Sequence, residues 1–150
     1  MPELTDASIW VTPPTLEGMN AMNPTTLGET LGIEFTDFGD NYITAEMPVD
    51  ARTVQPFRFL HGGASVALAE TLGSVASFLC LRDPANYTSF GIDINATHLR
   101  SVSEGGRVSG TARPVRIGQT VQVWQIDIAD QRGRQVCSSR LTCQVVKRRG

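Results

Sequence analysis

The sequence is poor in the residues that mark several large functional classes. It has three cysteines, an odd number at scattered positions, so no disulfide framework holds it together. Cys137 and Cys143 would share one face of a strand, but nothing compels them to bond. Two histidines and no Cys-x-x-Cys leave no metal site, and nothing asks for a cofactor. Cations do not outnumber anions: the formal net charge is −2 and the pI about 5.6, which gives no basic field for nucleic acid. The first ten residues carry acids and no basic start, so no signal peptide is expected there. No run of about 18 apolar residues offers a membrane span. A cytoplasmic, reduced setting is the expectation. Repeats, low-complexity tracts and a second domain are also missing. One hundred and fifty residues suit one domain with a proper core.

What the chain does have is residues 61–80, His-Gly-Gly followed by a long apolar run. Small and apolar residues recur at three- and four-residue spacings (Val66, Ala69, Gly73, Ala76, Cys80), the stripe of a core-facing helix. The run is apolar nearly all round, which predicts an enclosed helix. One carboxylate, Glu70, interrupts it, and a buried charge without partners is costly. At the start, Gly62 and Gly63 leave the first-turn N–H groups bare of side chains, ready for an electron-rich oxygen. The plainer reading of the glycines is a tight entry turn. Gly62 and Glu70 stand eight positions apart, about 12 Å along a helix. One reacting carbon cannot touch both in one chain. If both serve one reaction, two antiparallel copies of this helix must meet, and the chain must form a two-fold dimer.

Around this helix the pattern predicts an antiparallel sheet. Residues 1–14 read as a flexible tail and residues 15–150 as the domain. Thr15 is placed to cap a short helix over 16–22, and 27–31 adds a helical turn before Gly32. Two-residue alternation then predicts strands over 33–38 and 42–48, joined by Gly39-Asp40-Asn41. Further strands are predicted over 88–99, 107–117, 120–129 and 135–146, linked by short turns. Val121, Val123, Gln125 and Asp127 alternate with Gln122, Trp124, Ile126 and Ile128. The fold class is α+β: an antiparallel meander of five or six strands wrapped around one long central helix.

Three stretches carry a family resemblance. Gln55-Pro56-Phe57-Arg58-Phe59-Leu60-His61-Gly62-Gly63, the helix with Glu70, and Asn95-Ala96-Thr97-His98-Leu99-Arg100-Ser101 resemble the hotdog-fold acyl-CoA thioesterases. Within them the chain is most similar to the PaaI-like branch that includes 1,4-dihydroxy-2-naphthoyl-CoA thioesterases of menaquinone synthesis. The resemblance implies that Glu70 is nucleophile or general base, and that the Gly62 amide polarises the thioester carbonyl. It implies that Gln55 and His61 line the same half-site and that Ser74 lies beside the acyl group. It further implies nucleotide contacts from His98, Leu99, Arg100 and Ser101 and from a second turn holding Arg116, Gly118 and Val121. Gly91 matches a position where backbone approaches the ligand. Homodimers with shared sites, pairing into a tetramer, also follow from it, with acyl-CoA as the ligand and neither metal nor cofactor.

Each role has a plainer alternative. Glu70 could pair with an arginine, and His61 could cap or pack. Ser65, four residues after His61, suggests a Ser–His pair but is more simply a packed serine. Ser74 could be an ordinary helix residue, and His98 and Arg100 could form a solvated edge. Arg58 and Phe59 replace the family's usual Gly and Leu, which sets a bulky cation and an aromatic near the acyl pocket and leaves the acyl preference open. The functional expectation is hydrolysis of an aromatic acyl-CoA, first 1,4-dihydroxy-2-naphthoyl-CoA. The alternatives are hydroxybenzoyl- or phenylacetyl-CoA, an acyl group on a carrier protein, or a module that binds acyl-CoA without cleaving it.

Overall fold

Side-chain caps set the first two helices in this computed structural model, which describes residues 7–150. Thr15 accepts a hydrogen bond from Gly18 N at 2.9 Å and starts α1, Leu16–Asn20. Thr26 caps α2, Leu27–Leu31, which Gly32 ends at φ 72°. α1 stops short of the expected residue 22. Its last residue, Asn20, brackets Phe35 instead, donating to Phe35 O at 3.0 Å and accepting from Phe35 N at 2.8 Å.

Strands β1 (Glu34–Gly39) and β2 (Tyr42–Pro48) form the hairpin, and α3 (Gly62–Leu79) follows. Then come β3 (Tyr87–His98), β4 (Arg107–Ile117), β5 (Val121–Asp130) and β6 (Gln135–Lys147). All six strands join one antiparallel sheet in the order β1-β2-β4-β5-β6-β3. A plain meander is therefore corrected: β3 pairs with β6, not β4. The 99–106 connection crosses the end of the sheet to reach β4. It is bonded along the way, by Leu99 N to Val136 O (2.8 Å), Leu60 N to Val102 O (2.8 Å) and Gly105 N to Val49 O (2.7 Å). That crossing carries the 98–101 segment past the start of α3.

α3 lies on the sheet with Leu68, Leu72 and Ala76 fully buried against a core that includes Trp124, Ile126 and Ile128. The alternation in β5 is as read, with Gln122, Trp124, Ile126 and Ile128 inward. The expectation of an enclosed helix is corrected. Val66, Ala67, Glu70, Thr71, Ser74, Val75 and Phe78 form a half-exposed stripe, because one sheet covers only one side of a helix. The absence of a membrane-length apolar stretch is corrected too. Gly62–Leu79 reaches a mean hydropathy of 1.2, long and apolar enough to cross a membrane by composition, although in this fold it is the core helix.

The N-terminal segment differs from its sequence reading as well. Residues 1–6 of the expected tail lie outside the described residues. The next stretch is tied down: Ile9 N donates to Asp40 O at 2.9 Å, and Val11 N and Thr12 N both donate to Leu79 O at 3.0 Å. Trp10 stacks on Trp124 with centroids 6.3 Å apart, and its Nε1 donates to Gly39 O at 2.7 Å. An amphipathic indole can pack its face and still satisfy its N–H. A proline-flanked segment concealed that anchor from the sequence reading.

Candidate active site

The first turn of α3 has four N–H groups to satisfy. His61 is the N-cap, and its Nδ1 accepts from Gly63 N at 2.7 Å. Ala64 N and Ser65 N both donate to His61 O, at 3.0 and 3.2 Å. Gly62 N alone of these four has no partner among the described residues. The residue singled out for its bare amide is thus the one whose amide is free. His61 spends its ring nitrogen on the helix, which is the capping alternative.

Gly62 opens on a cavity of about 450 Å³ lined by Gln55, Phe59, Leu60, Gly62, Ser65, His98, Leu99, Arg100, Ser101 and Val136. The crossing segment explains the grouping, since Leu99 N and Arg100 N both donate to Val136 O. His98 lies directly on the glycine: a methyl on Gly62 would stand 2.8 Å from His98 Nε2. Gln55 is half-buried, and its side-chain oxygen accepts from Phe57 N, which leaves the amide hydrogens to point elsewhere. A bare backbone donor, a carboxamide and an arginine therefore share one concave site, the composition of an oxyanion pocket with an anion-binding end.

Glu70 is not in that cavity. It sits on the half-exposed stripe about 12 Å further along α3, with Ser74 one turn beyond. Its carboxylate lies over Gly91 in β3. A methyl on Gly91 would overlap Glu70 Oε1, so the missing side chain makes the room the carboxylate occupies. The register slips between Gly91 and Asp93, a bulge beside the same spot. Among the described residues Glu70 has neither an ion-pair nor a hydrogen-bond partner, which removes the Glu–Arg alternative within one chain. Burial raises its pKa above the ordinary carboxylate value. Nearby Cys143 is buried and free, and burial raises its thiol pKa as well. It is therefore a poor competing nucleophile.

Arg58 departs from its sequence expectation. It adopts φ 68°, a conformation suited to glycine. Its guanidinium turns away from the cavity to Glu104, with Nε to Oε2 at 2.8 Å and Nη2 to Oε1 at 2.5 Å. Only Phe59 of the two unusual residues lines the pocket.

The structure thus brings Gln55, Gly62, His98, Leu99, Arg100 and Ser101 together, and it groups Glu70, Ser74 and Gly91 separately. Arg116, Gly118 and Val121 form a third group at the β4–β5 turn, where Gly118 N donates to Val121 O at 2.9 Å. Gly118 lines a different cavity of about 290 Å³ with Cys80, Leu81, Tyr87 and Ile117. The whole of β4 separates this turn from the crossing segment, about 30 Å of strand. The expected second nucleotide contact is therefore not in the Gly62 cavity of the same chain. Sequence reasoning missed Val136 and Leu60 as cavity walls and Glu104 as the partner of Arg58. Their pairings span dozens of residues and leave no local signal.

Known proteins resemble this chain over most of its length. The family model described as "Thioesterase superfamily" matches residues 57–137. A 1,4-dihydroxy-2-naphthoyl-CoA hydrolase of Escherichia coli (strain K12) is 49% identical over 138 residues, 92% of this chain and 99% of that one. A proofreading thioesterase, EntH, of Cronobacter turicensis is 50% identical over 138 residues, 92% of this chain and 98% of its own. The crystal structure of a mutant thioesterase, PA1618, from Pseudomonas aeruginosa superposes with a TM-score of 0.91 at 47% identity. It covers 94% of this chain and all of that one.

Proposed function

The chain belongs to the thioesterase superfamily, as a PaaI-like hotdog acyl-CoA thioesterase, and from that premise we propose that it hydrolyses an aromatic acyl-CoA, with 1,4-dihydroxy-2-naphthoyl-CoA the preferred substrate, in a site shared by two chains. One observation carries the reading. The free Gly62 amide faces a cavity that runs to Arg100, whereas the unpaired carboxylate lies about 12 Å away on the same helix.

In this reading Gly62 N donates to the thioester oxygen as it gains charge, and the partner's Glu70 supplies the negative group on the other side. Glu70 either attacks the carbonyl carbon or takes a proton from water as the water attacks. The C–S bond then breaks, and the CoA thiolate leaves without a strong acid because it is a good leaving group. After direct attack, water hydrolyses the acyl-Glu70 anhydride to free the acid and the carboxylate; after attack by water, the proton held by Glu70 passes to the thiolate or to solvent. Gln55 orients the carbonyl or the water, and Ser74 stands beside the acyl group. His98, Leu99, Arg100 and Ser101 meet the pantetheine and phosphates, and the partner's Arg116, Gly118 and Val121 complete the nucleotide end.

The dimer has support in the surface. Among the described residues β3 is an edge strand with an unpaired outer side, and it exposes Phe90 and Ile92 to 60% and 58%. A long apolar edge is a liability unless another strand covers it. Beside it runs the half-exposed α3 stripe with Glu70. We extend the assembly to a dimer of dimers on the resemblance alone. Three buried, free cysteines support a reducing compartment, and we place the enzyme in the cytoplasm.

Phe59 in the cavity wall supports an aromatic acyl group, and the Escherichia coli relative supports the dihydroxynaphthoyl choice; on the family resemblance we propose a place in menaquinone synthesis. A relative of similar identity bears a different name, proofreading thioesterase, so the substrate is not fixed by family membership, and the second reading is an acyl group carried on a protein. A panel of acyl-CoAs and acyl-carrier proteins, followed by release of free thiol, decides between them. The highest kcat/KM is expected on 1,4-dihydroxy-2-naphthoyl-CoA. A preference for carrier-bound, hydroxybenzoyl or phenylacetyl groups would overturn the substrate assignment.

A further inference from the structure

We propose that Arg58 is a positioning residue: its two-pronged ion pair with Glu104 holds the 55–59 loop, and through it the Gln55 carboxamide, in place at the thioester. The proposal rests on the reading above, in which Gln55 touches the carbonyl or the attacking water.

The loop closes on itself through Gln55. Gln55 N donates to Phe59 O and Arg58 N to Gln55 O, both at 2.8 Å, and Phe57 N donates to the Gln55 side-chain oxygen. Closing this way requires residue 58 to take a left-handed conformation. Arg58 does so at φ 68° and Thr25 at φ 62°, the two non-glycine residues with positive φ among those described. Glycine adopts this conformation freely, whereas a side chain makes it strained. Something else must therefore hold the turn.

Packing does not hold it. Pro56, Phe57 and Arg58 are all exposed, Phe57 to 82%. Backbone bridges tie Val54 to Leu60 and Phe59 to Ser103, and the side-chain contact added to them is a clasp to a residue far away in sequence. The Arg58 guanidinium meets both Glu104 oxygens, while Glu104 N donates back to Arg58 O at 2.9 Å. Planar two-point contact fixes direction as well as distance, which a single surface contact does not. Glu104 in turn sits in the crossing segment that carries the 98–101 wall of the cavity. The clasp therefore locks one wall, with Gln55, to the segment bearing the other.

A strained loop held by a clasp differs from an ordinary surface ion pair in one respect: removing the strain should make the clasp dispensable. Glu104→Gln and Arg58→Leu each keep the strain and lose the ion pair. Both are expected to lower kcat about two- to five-fold with little change in KM. Arg58→Gly loses clasp and strain together, and should retain more kcat than Arg58→Leu. Adding Glu104→Gln to Arg58→Gly should lower kcat no further.

Hydrogen exchange at the Gln55 and Arg58 amides gives a readout that needs no substrate. It should quicken in Glu104→Gln and Arg58→Leu. An unchanged kcat in Glu104→Gln overturns the proposal, whether or not exchange quickens. So does an equal loss of kcat from Glu104→Gln in both backgrounds. Because exchange is read without catalysis, absence of thioester cleavage by the unaltered enzyme would condemn the functional reading, while unchanged exchange would condemn the clasp.

Discussion

The Gly62 corner and the Glu70 window lie on one helix and use absent side chains for opposite ends. At the corner, Gly62 leaves a backbone N–H uncovered, and the neighbouring amides are all taken by His61. The fold there turns an orphan first-turn N–H toward a cavity instead of capping it. At the window, Gly91 on the facing strand makes space for a half-buried carboxylate that has no partner among the described residues. One region withholds a hydrogen bond and the other withholds a counter-ion. Both leave an unmet demand, and complementary unmet demands about 12 Å apart are what a second, antiparallel copy would satisfy.

The sharpest way to break this comparison is to disable each region in a different chain. Glu70→Gln keeps the shape but removes the charge, and should lower kcat about 10²- to 10⁴-fold. Gly62→Pro deletes the amide, with an expected loss of about 10²- to 10³-fold. The backbone tolerates it: His61 is extended at φ −70°, ψ 130°, as a residue before proline must be, and the first helical position accepts proline. The nearest atoms that an added Cβ meets belong to the exposed His98 ring, which has room to move aside. Co-expressed and mixed, the two variants should regain up to half the activity, since one of the two sites in each heterodimer is intact. Well-mixed, folded chains with no recovery would refute the shared site, as would a fully active monomer in sedimentation.

Gly91→Ala separates the window from the ligand. If the glycine serves Glu70, the added methyl displaces the carboxylate, and kcat should fall about 10- to 10²-fold, the usual effect of an ångström-scale misplacement. If Gly91 instead approaches the ligand, the change should appear in KM. Steady-state kinetics on one good acyl-CoA distinguishes the two.

The two regions were unequally legible in the sequence. The corner was readable because everything that makes it is contiguous: His61, Gly62 and the start of an apolar run. Glu70, to which the proposed function gives the chemistry, was readable because a lone acid stands out in that run. The window was not readable, since Gly91 is 21 positions further on and its meaning depends on β3 lying beside β6 at the sheet edge. The expected meander failed for the same reason, because pairing of β3 with β6 is a non-local choice that alternation cannot report. The stripe on α3 was hidden by its own apolarity, which looks alike whether a sheet or a second chain covers it. Arg58 was visible as an oddity, but its partner Glu104 lies 46 positions away.

A smaller effect sharpens the corner. Arg100 is exposed at the far wall of the cavity, so it can meet phosphate without touching the reacting carbon. Arg100→Ala should raise KM by about tenfold at most and leave kcat nearly unchanged, because it removes binding common to ground and transition states. Thioesters lacking the nucleotide should be indifferent to the change. A loss confined to kcat would move Arg100 into the chemistry.

The smallest effect concerns stability at the window, and its sign separates strain from support. Burial raises the Glu70 pKa above the unfolded value of about 4.3, with no partner to offset it among the described residues. A carboxylate with a raised folded-state pKa binds its proton more tightly in the folded protein, so folding is opposed once pH exceeds the unfolded pKa. The penalty is complete above the folded pKa and vanishes as pH falls below both. Glu70→Gln should therefore raise Tm at neutral pH, on the order of 1–2 °C given how much of the group remains in contact with water. That gain should shrink to nothing near pH 4. The same raised pKa predicts that kcat climbs with pH through the titration of Glu70, whether it acts as nucleophile or base, since only the anion can do either. An ion-paired structural glutamate would show the reverse, a Tm lowered by Glu70→Gln at pH 7 and a difference that fades on acidification. Melting curves of both proteins between pH 4 and pH 8 tell the two apart, because the curves either converge from above or from below.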